Sequence, residues 1–202
     1  MEFQNVVRKR KMVRAFKPDA LPKSVVERIL RNAQRGPSSG FAQGFEFLVF
    51  DGPGETSKFW KHLATQPEHH PLLETDATNA PLVIVPLAHS RAYVKRYLEP
   101  DKKSVGRRTE EEWPAPHWFT DTAFASMLIL LTAVDSNLGG FYFSIGPTNR
   151  SVSPFRRAFG IPEEYYPMGA IAIGYPSQIT LIESSARMGR RPKSEVMHYG
   201  NW

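Results

Sequence analysis

The chain has 202 residues, enough for one domain of ordinary size. Its hydrophobic share of 41% and charged share of 23% exclude a disordered chain, and the lack of cysteine excludes disulfides, thiolate metal sites and a cysteine nucleophile. A net charge of +6 and a pI near 9.6 suit either nucleic acid or a phosphate-bearing small molecule, but no nucleic-acid recognition motif is present, so the expectation is no nucleic acid.

In chain order, a basic run at Arg8 to Lys11 is followed by Met12-Val13 and Arg14 with no apolar run between, so no secretion signal is expected. A helix is expected from about Ser24 to Gln34, where Val25, Val26, Ile29, Leu30 and Ala33 share a face. Ser24 and Glu27 are placed for a capping box, and Pro22 is an equally good start signal. Gly36-Pro37 ends this helix, and Pro37 to Gly40 reads as a loop. Phe45 to Phe50 reads as a strand, Thr56 to Leu63 as a short helix, and Leu82 to Val85 as a second, buried strand. Residues 90–116 are polar and irregular, the candidate for a variable excursion or lid, with helix around Arg91 to Leu98. The strongest helix signal runs from Thr120 to Asn137, apolar almost all round and stopped by Leu138-Gly139-Gly140. Such a helix must be covered on several sides. Its apolar stretch, Ala123 to Val134, is too short to span a bilayer, so no membrane and a cytoplasmic location are expected. Phe141 to Ile145 and Ala170 to Gly174 are further strands, separated by a short helix capped by Ser153-Pro154 and closed by Gly160. The last twenty residues are polar, with no core of their own. The irregular alternation of elements indicates an α+β or mixed α/β fold in a single domain, residues 1–202.

The chemistry is not in the histidines. None of the six forms an H-E-x-x-H pattern, and there is no G-x-G-x-x-G or phosphate-loop motif. No metal site is expected. The informative segment is Arg10-Lys11-Met12-Val13-Arg14-Ala15-Phe16. On an extended chain alternate residues point the same way, so Arg10, Met12 and Arg14 share a side. Two arginines aimed at one ligand suit a phosphate at one end and a developing negative charge at the other.

This segment resembles the R-R-S-x-R-x-F opening of the nitroreductase family. Ala33 to Gln43 is similar to the family's A-P-S-x-x-N-x-Q-P-W, and the helix from Asp121 to its D-x-x-x-A-x-x-N-L-L-L-A-A. Leu138-Gly139-Gly140, Gly160-Ile161-Pro162-Glu163 and Ala172 to Pro176 resemble its L-G-L-G, L-G-I-P-E and A-I-G-Y-P. Arg190-Arg191-Pro192 and Glu195 to His198 resemble its closing R-R-P-x-x-E-V-V-H. Each piece is short, and it is their order and spacing over nearly the whole chain that is specific.

The resemblance implies an α+β nitroreductase-like fold: a mixed or antiparallel sheet flanked by helices, in an intertwined homodimer with FMN at the interface. It implies that Arg10 and Lys11 hold the cofactor phosphate, that Arg14 sits by the N1/O2 edge of the flavin, and that Pro37, Ser38 and Ser39 reach in from the second subunit. Ser144, Ile145 and Gly146 would line one flavin face through backbone. Arg190 or Arg191 would complete the phosphate site, with residues 183–202 extending over the partner. The implied activity is FMN-dependent transfer from NAD(P)H to a nitro, quinone or other electron-poor acceptor by ping-pong hydride transfer. Met12 stands where the family has Ser, Phe41 where it has Asn, Gly44-Phe45 where it has Pro-Trp, and Met127-Leu128 where it often has Gln-Asn. These swaps make the pocket more apolar and remove hydrogen bonds. They raise a second possibility, a protein that binds or sequesters flavin with little turnover. Phe41 and Met127 are equally readable as core packing.

Overall fold

The computed structural model describes residues 1–66, 70–146, 152–177 and 189–202. Among them are six α-helices and a five-stranded antiparallel sheet. Strands β1 (Phe45–Asp51), β2 (Leu82–His89), β5 (Ala170–Gly174) and β3 (Gly139–Phe143) lie side by side in the order β1-β2-β5-β3. Strand β4 (Tyr165–Pro167) pairs with the far end of β2. Pro167 lies opposite Leu87 and Ile171 opposite Ile84, so four steps on one chain face three on the other. That extra residue is a bulge, and it divides what is otherwise one strand.

The expected α+β class is what forms. Both β2 and β5 are buried along almost their whole length, because helices and aromatic side chains cover the two faces of the sheet. On one face, α2 (Lys23–Ala33) and α5 (His117–Asp135) bury Val26, Ile29, Ala33, Ile129, Leu130 and Ala133 against Leu82, Ile84, Ile171 and Ile173. On the other, α3 (Pro53–Ala64) and α6 (Ser153–Phe159) close an aromatic layer in which Phe59 meets Phe50, Trp60, Phe143 and Phe155. Burying each such ring contributes about 1.5–3 kcal/mol.

Several expectations need correction. Helix α2 begins at Lys23 behind Pro22, and no side chain caps it, so the Ser24/Glu27 box is not formed. The capping box lies at Thr109 and Glu112, on the 3-10 turn Glu110–Glu112. Helix α6 is preceded by Val152, and Ser153 is already helical. Helix α5 starts three residues early and stops at Asp135. Its stop is Asn137, in the left-handed conformation at φ 59°, while Gly139 and Gly140 open β3. The early start gives α5 the length and apolarity of a membrane span, but half of that window lies inside the protein, over the sheet. Helix α1 (Phe3–Lys9) was not expected, and it buries only Val6.

Residues 90–116 hold a helix and two 3-10 turns, with most of 98–112 exposed. Helix α4 (Ser90–Tyr97) confirms the helix expected there, and its Tyr93 and Tyr97 pack with Trp113 and Trp118 into a small aromatic core. Trp113 reaches edge-on to Tyr97 at 4.6 Å, and the Arg107 guanidinium covers the Trp113 ring at 4.7 Å.

One titratable group lies in the aromatic layer. His62 on α3 touches the rings of Phe155 and Phe159, and burial lowers its pKa. The unfolded chain therefore binds this proton before the folded one does. Its contribution is complete above about pH 6.5, and stability falls as pH drops through that value. Urea unfolding at pH 7 and pH 5 is expected to show a smaller acid loss in His62→Gln than in the parent. Equal losses count against this cause.

Candidate functional site

The N-terminal arm is held by backbone bonds at the β3 edge of the sheet. Met12 bridges to Gly140, the Val13 N–H donates to the Gly140 carbonyl at 3.2 Å, and Phe16 bridges to Pro176. A Cβ at Gly139 would lie 2.7 Å from the Val13 side chain, so only glycine admits the arm this closely. Along the arm Val13 and Ala15 are buried, and Arg10, Met12 and Arg14 are half-buried. The alternation holds from Met12 to Ala15, while Lys11 is exposed and Phe16 is buried in the core. The Arg14 guanidinium carbon sits 5.8 Å from the Phe141 ring centre. Among the described residues, the side chains of Arg10, Lys11 and Arg14 have no carboxylate and no hydrogen-bond acceptor.

Beside the arm, β3 runs into Ser144, Ile145 and Gly146. Ile145 is buried, Ser144 is exposed, and a Cβ on Gly146 would meet nothing. His70 Nε2 lies 3.1 Å from the Ser144 carbonyl and steadies this exit from the sheet.

Pro37, Ser38, Ser39 and Phe41 form a second group, on the loop after α2. The Ser39 N–H donates to Asp121 Oδ2 at 2.9 Å, and the Tyr93 hydroxyl donates to the same oxygen at 2.8 Å. Asp121 is buried. Burial and the neighbouring carboxylate push the Tyr93 phenol pKa up, so it stays a donor. Ser39 Oγ is 2.7 Å from His117 Nδ1. Arg96 Nε donates to the Gly40 carbonyl at 2.8 Å while its other nitrogens clasp Asp101. Gly40 has φ +60° with Tyr97 against it, and a Cβ there would lie 2.7 Å from that ring. Phe41 and Gln43 also take left-handed φ. Side chains from two helices, α4 and α5, thus fix one strained loop, and Phe41 is turned outward, 74% exposed.

Met127 is 46% exposed on α5, beside Phe124 at 48% and the exposed Ala123. Neither Phe41 nor Met127 is a core residue of the chain, which removes the packing alternative. Arg190 is exposed, and Arg191 pairs with Glu195 at 3.1 Å. The whole described tail is exposed, Trp202 completely. Of the expected tail, residues 183–188 lie outside the described residues.

The single chain places the arm of Arg10, Met12 and Arg14 at the start of β3, with Met12 at Gly140 and Arg14 by Phe141. It does not bring them to Pro37–Phe41, Met127 or Arg191: among the described residues no hydrogen bond or ring contact links these groups. The side chains that hold the loop, Tyr93, Arg96, His117 and Asp121, went unread in the sequence. Nothing in the spacing of Asp121, 82 residues beyond Ser39, announces their contact.

A family model described as "Nitroreductase family" matches residues 7–175, most of the chain. The chain belongs to the nitroreductase family. A nitroreductase-family relative from Methanothermobacter thermautotrophicus, whose name is that of an NADH dehydrogenase/NAD(P)H nitroreductase, is 26% identical over 178 residues, 88% of this chain and 79% of its own. An NADPH-dependent oxidoreductase of Staphylococcus aureus is 24% identical over 98% of this chain and 73% of its own. Among solved structures, an FMN-dependent nitroreductase from Clostridium difficile superposes with a TM-score of 0.67 at 21% identity, covering 98% of both chains. A nitroreductase in complex with FMN from Exiguobacterium sibiricum gives 0.70 at 18% identity, covering 98% of this chain and 97% of its own. At these identities the structures establish the nitroreductase fold.

Proposed function

We propose that this nitroreductase-family chain is a cytoplasmic FMN-dependent oxidoreductase. It passes hydride equivalents from NAD(P)H to a nitro, quinone or other electron-poor acceptor in a ping-pong cycle, and it works as a homodimer. The observation that carries this reading is that half-buried Arg10 and Arg14 have no anion beside them among the described residues. Guanidinium groups in that setting call for an anionic ligand. The donor set fits FMN, with a phosphate for Arg10 and Lys11 and a ring edge that becomes electron-rich for Arg14. The open backbone at Ser144 and Gly146, above buried Ile145, supplies a ledge for a flat ring.

When bound, FMN supplies the two-electron chemistry that no side chain here provides. Arg10, Lys11 and Arg190 or Arg191 would hold its phosphate, and Pro37, Ser38 and Ser39 would close over it from the second subunit. Arg14 is set to favour whichever redox state carries charge on the ring. No protein nucleophile is needed for that chemistry. The visible spectrum of the purified protein, and NAD(P)H oxidation with a quinone, test the reading. Flavin bands without turnover support the second reading, sequestration, which the exposed and apolar Phe41 and Met127 favour. A protein that takes up no FMN sinks both.

The homodimer rests on the uncovered apolar row Ala123, Phe124 and Met127, and on the exposed tail. Light scattering at micromolar concentration is expected to give about twice the 22.9 kDa chain mass. A monomer removes the second-subunit half of the site.

Arg14 separates electrostatic tuning from plain binding. A charged contact partly open to water differs between redox states by about 1–2 kcal/mol, and about 30 mV corresponds to 1.4 kcal/mol for a two-electron couple. Arg14→Gln is expected to lower the flavin midpoint by roughly 20–40 mV with only a few-fold loss of FMN affinity, while Arg14→Lys keeps most of the potential. An unchanged midpoint in Arg14→Gln, measured by dye equilibration, ends the tuning role.

A further inference from the structure

The geometry points to His117 as a proton-operated positioning residue. Its protonation state decides whether the Ser39 hydroxyl offers a lone pair or a proton to the ligand. The inference rests on the reading that Ser39 reaches the cofactor.

Ser39 Oγ lies 2.7 Å from His117 Nδ1, and both residues are half-buried. The rest of Ser39 is immobile, since its N–H is bonded to Asp121 and Gly40 behind it is held by Arg96. The hydroxyl can therefore rotate but cannot leave. A serine hydroxyl has one proton and two lone pairs. Opposite a neutral imidazole in the Nε2–H form, the tautomer a free imidazole prefers, that proton goes to Nδ1. Ser39 then presents only lone pairs outward. Opposite an imidazolium, Nδ1 becomes a donor, Oγ accepts from it, and the serine proton is free for an acceptor oxygen of the ligand. One proton taken up at His117 thus reverses the polarity of Ser39.

The pair is not a nucleophile and its base. Asp121, one turn further along α5, spends its bonded oxygen on the Ser39 N–H and the Tyr93 hydroxyl. Among the described residues it makes no bond to the imidazole, so nothing orients His117 as a triad requires. The other ionisable groups on the elements packed here are Arg91, Tyr93, Lys95, Arg96 and Tyr97 on α4, and Arg107 with Glu110, Glu111 and Glu112 around Trp113. The Trp113 ring lies edge-on to His117 at 5.2 Å. Arg96 is committed to Gly40, Glu99 and Asp101, Arg107 lies over Trp113, and Glu112 accepts from the backbone of Thr109. None of these is bonded to Ser39 Oγ, which leaves His117 as the group that sets its direction.

FMN phosphate titrates at about pH 6, so affinities are compared as ratios at each pH, which cancels the ligand's own titration. FMN dissociation constants of the parent, His117→Gln, Ser39→Ala and the double variant, read by quenching of flavin fluorescence, provide the test. His117→Gln is expected to bind relatively worse than the parent as pH falls from 8 to 5.5, by several-fold, roughly 1 kcal/mol in coupling. On the Ser39→Ala background the same substitution should have no pH-dependent effect. Parallel profiles for parent and His117→Gln overturn the inference, as does an effect that persists without Ser39. A parent that binds no FMN at any pH sinks the cofactor reading instead. In that event the 15N resonances of His117 in the ligand-free protein still decide the local claim. At pH 8 the Nε2–H tautomer, with Nδ1 as acceptor, is expected, and the Nδ1–H tautomer overturns it.

Discussion

Asp121→Ala is expected to destabilise the protein by about 3 kcal/mol or more. The buried carboxylate accepts from the Tyr93 hydroxyl and the Ser39 N–H, and hydrogen bonds to a charged group are worth about 1.5–3 kcal/mol each. Removing the acceptor strands a phenol and an amide where water does not replace it. Relief of the carboxylate's own desolvation offsets part of that loss, which keeps the expected value near the lower end. Tyr93→Phe removes one donor only and is expected to cost about half as much, roughly 1.5 kcal/mol. Urea unfolding of the three proteins gives the comparison. If Asp121→Ala is no worse than Tyr93→Phe, the carboxylate does not hold the loop. Where the folded state of Asp121→Ala survives, the loop 37–41 should lose protection from amide exchange before the sheet does.

The second large effect concerns the phosphate end of the proposed cofactor site. Arg10→Ala and Arg191→Ala are each expected to weaken FMN binding by roughly 10- to 100-fold, since each deletes a charge-assisted bond of about 1.5–3 kcal/mol. Riboflavin, which lacks the phosphate, should bind both variants as it binds the parent. The two residues differ in the isolated chain. Arg10 has no partner among the described residues, whereas Arg191 pairs with Glu195 in the exposed tail. An exposed pair of this kind contributes at most about 1 kcal/mol, so a phosphate displaces it readily. Equal losses for FMN and riboflavin remove both arginines from the phosphate.

How far these residues were legible in the sequence differs between the two halves of the site. The arm was readable because alternation is a local property. Arg10, Met12 and Arg14 are half-buried alike while Val13 and Ala15 between and beside them are buried, as their parity in the chain requires. The apolar faces of α2 and α5 were readable for the corresponding reason at helical spacing. The loop at Ser39 was readable as a loop, from Pro37 and Gly40, but its anchors were not. Asp121 marked only the start of an apolar run, and Tyr93 and Trp113 fell within a stretch that looked polar. Those aromatic residues are spaced too irregularly along residues 90–116 to show a periodic face. They become a core only when α4 folds back toward the start of α5.

The sequence by itself therefore determined the main helices and strands, because each follows from spacing within a few residues, and the order of its motifs, through the family resemblance, narrowed an α+β or mixed α/β reading to α+β. Tertiary structure alone decided that β4 and β5 are one strand broken by a bulge, that Asn137 rather than a glycine stops α5, and that Asp121 and His117 both close on Ser39. A three-residue strand is too short to show a period. A contact across 82 residues depends on how whole helices pack, and on which buried polar groups are left needing a partner once they have packed.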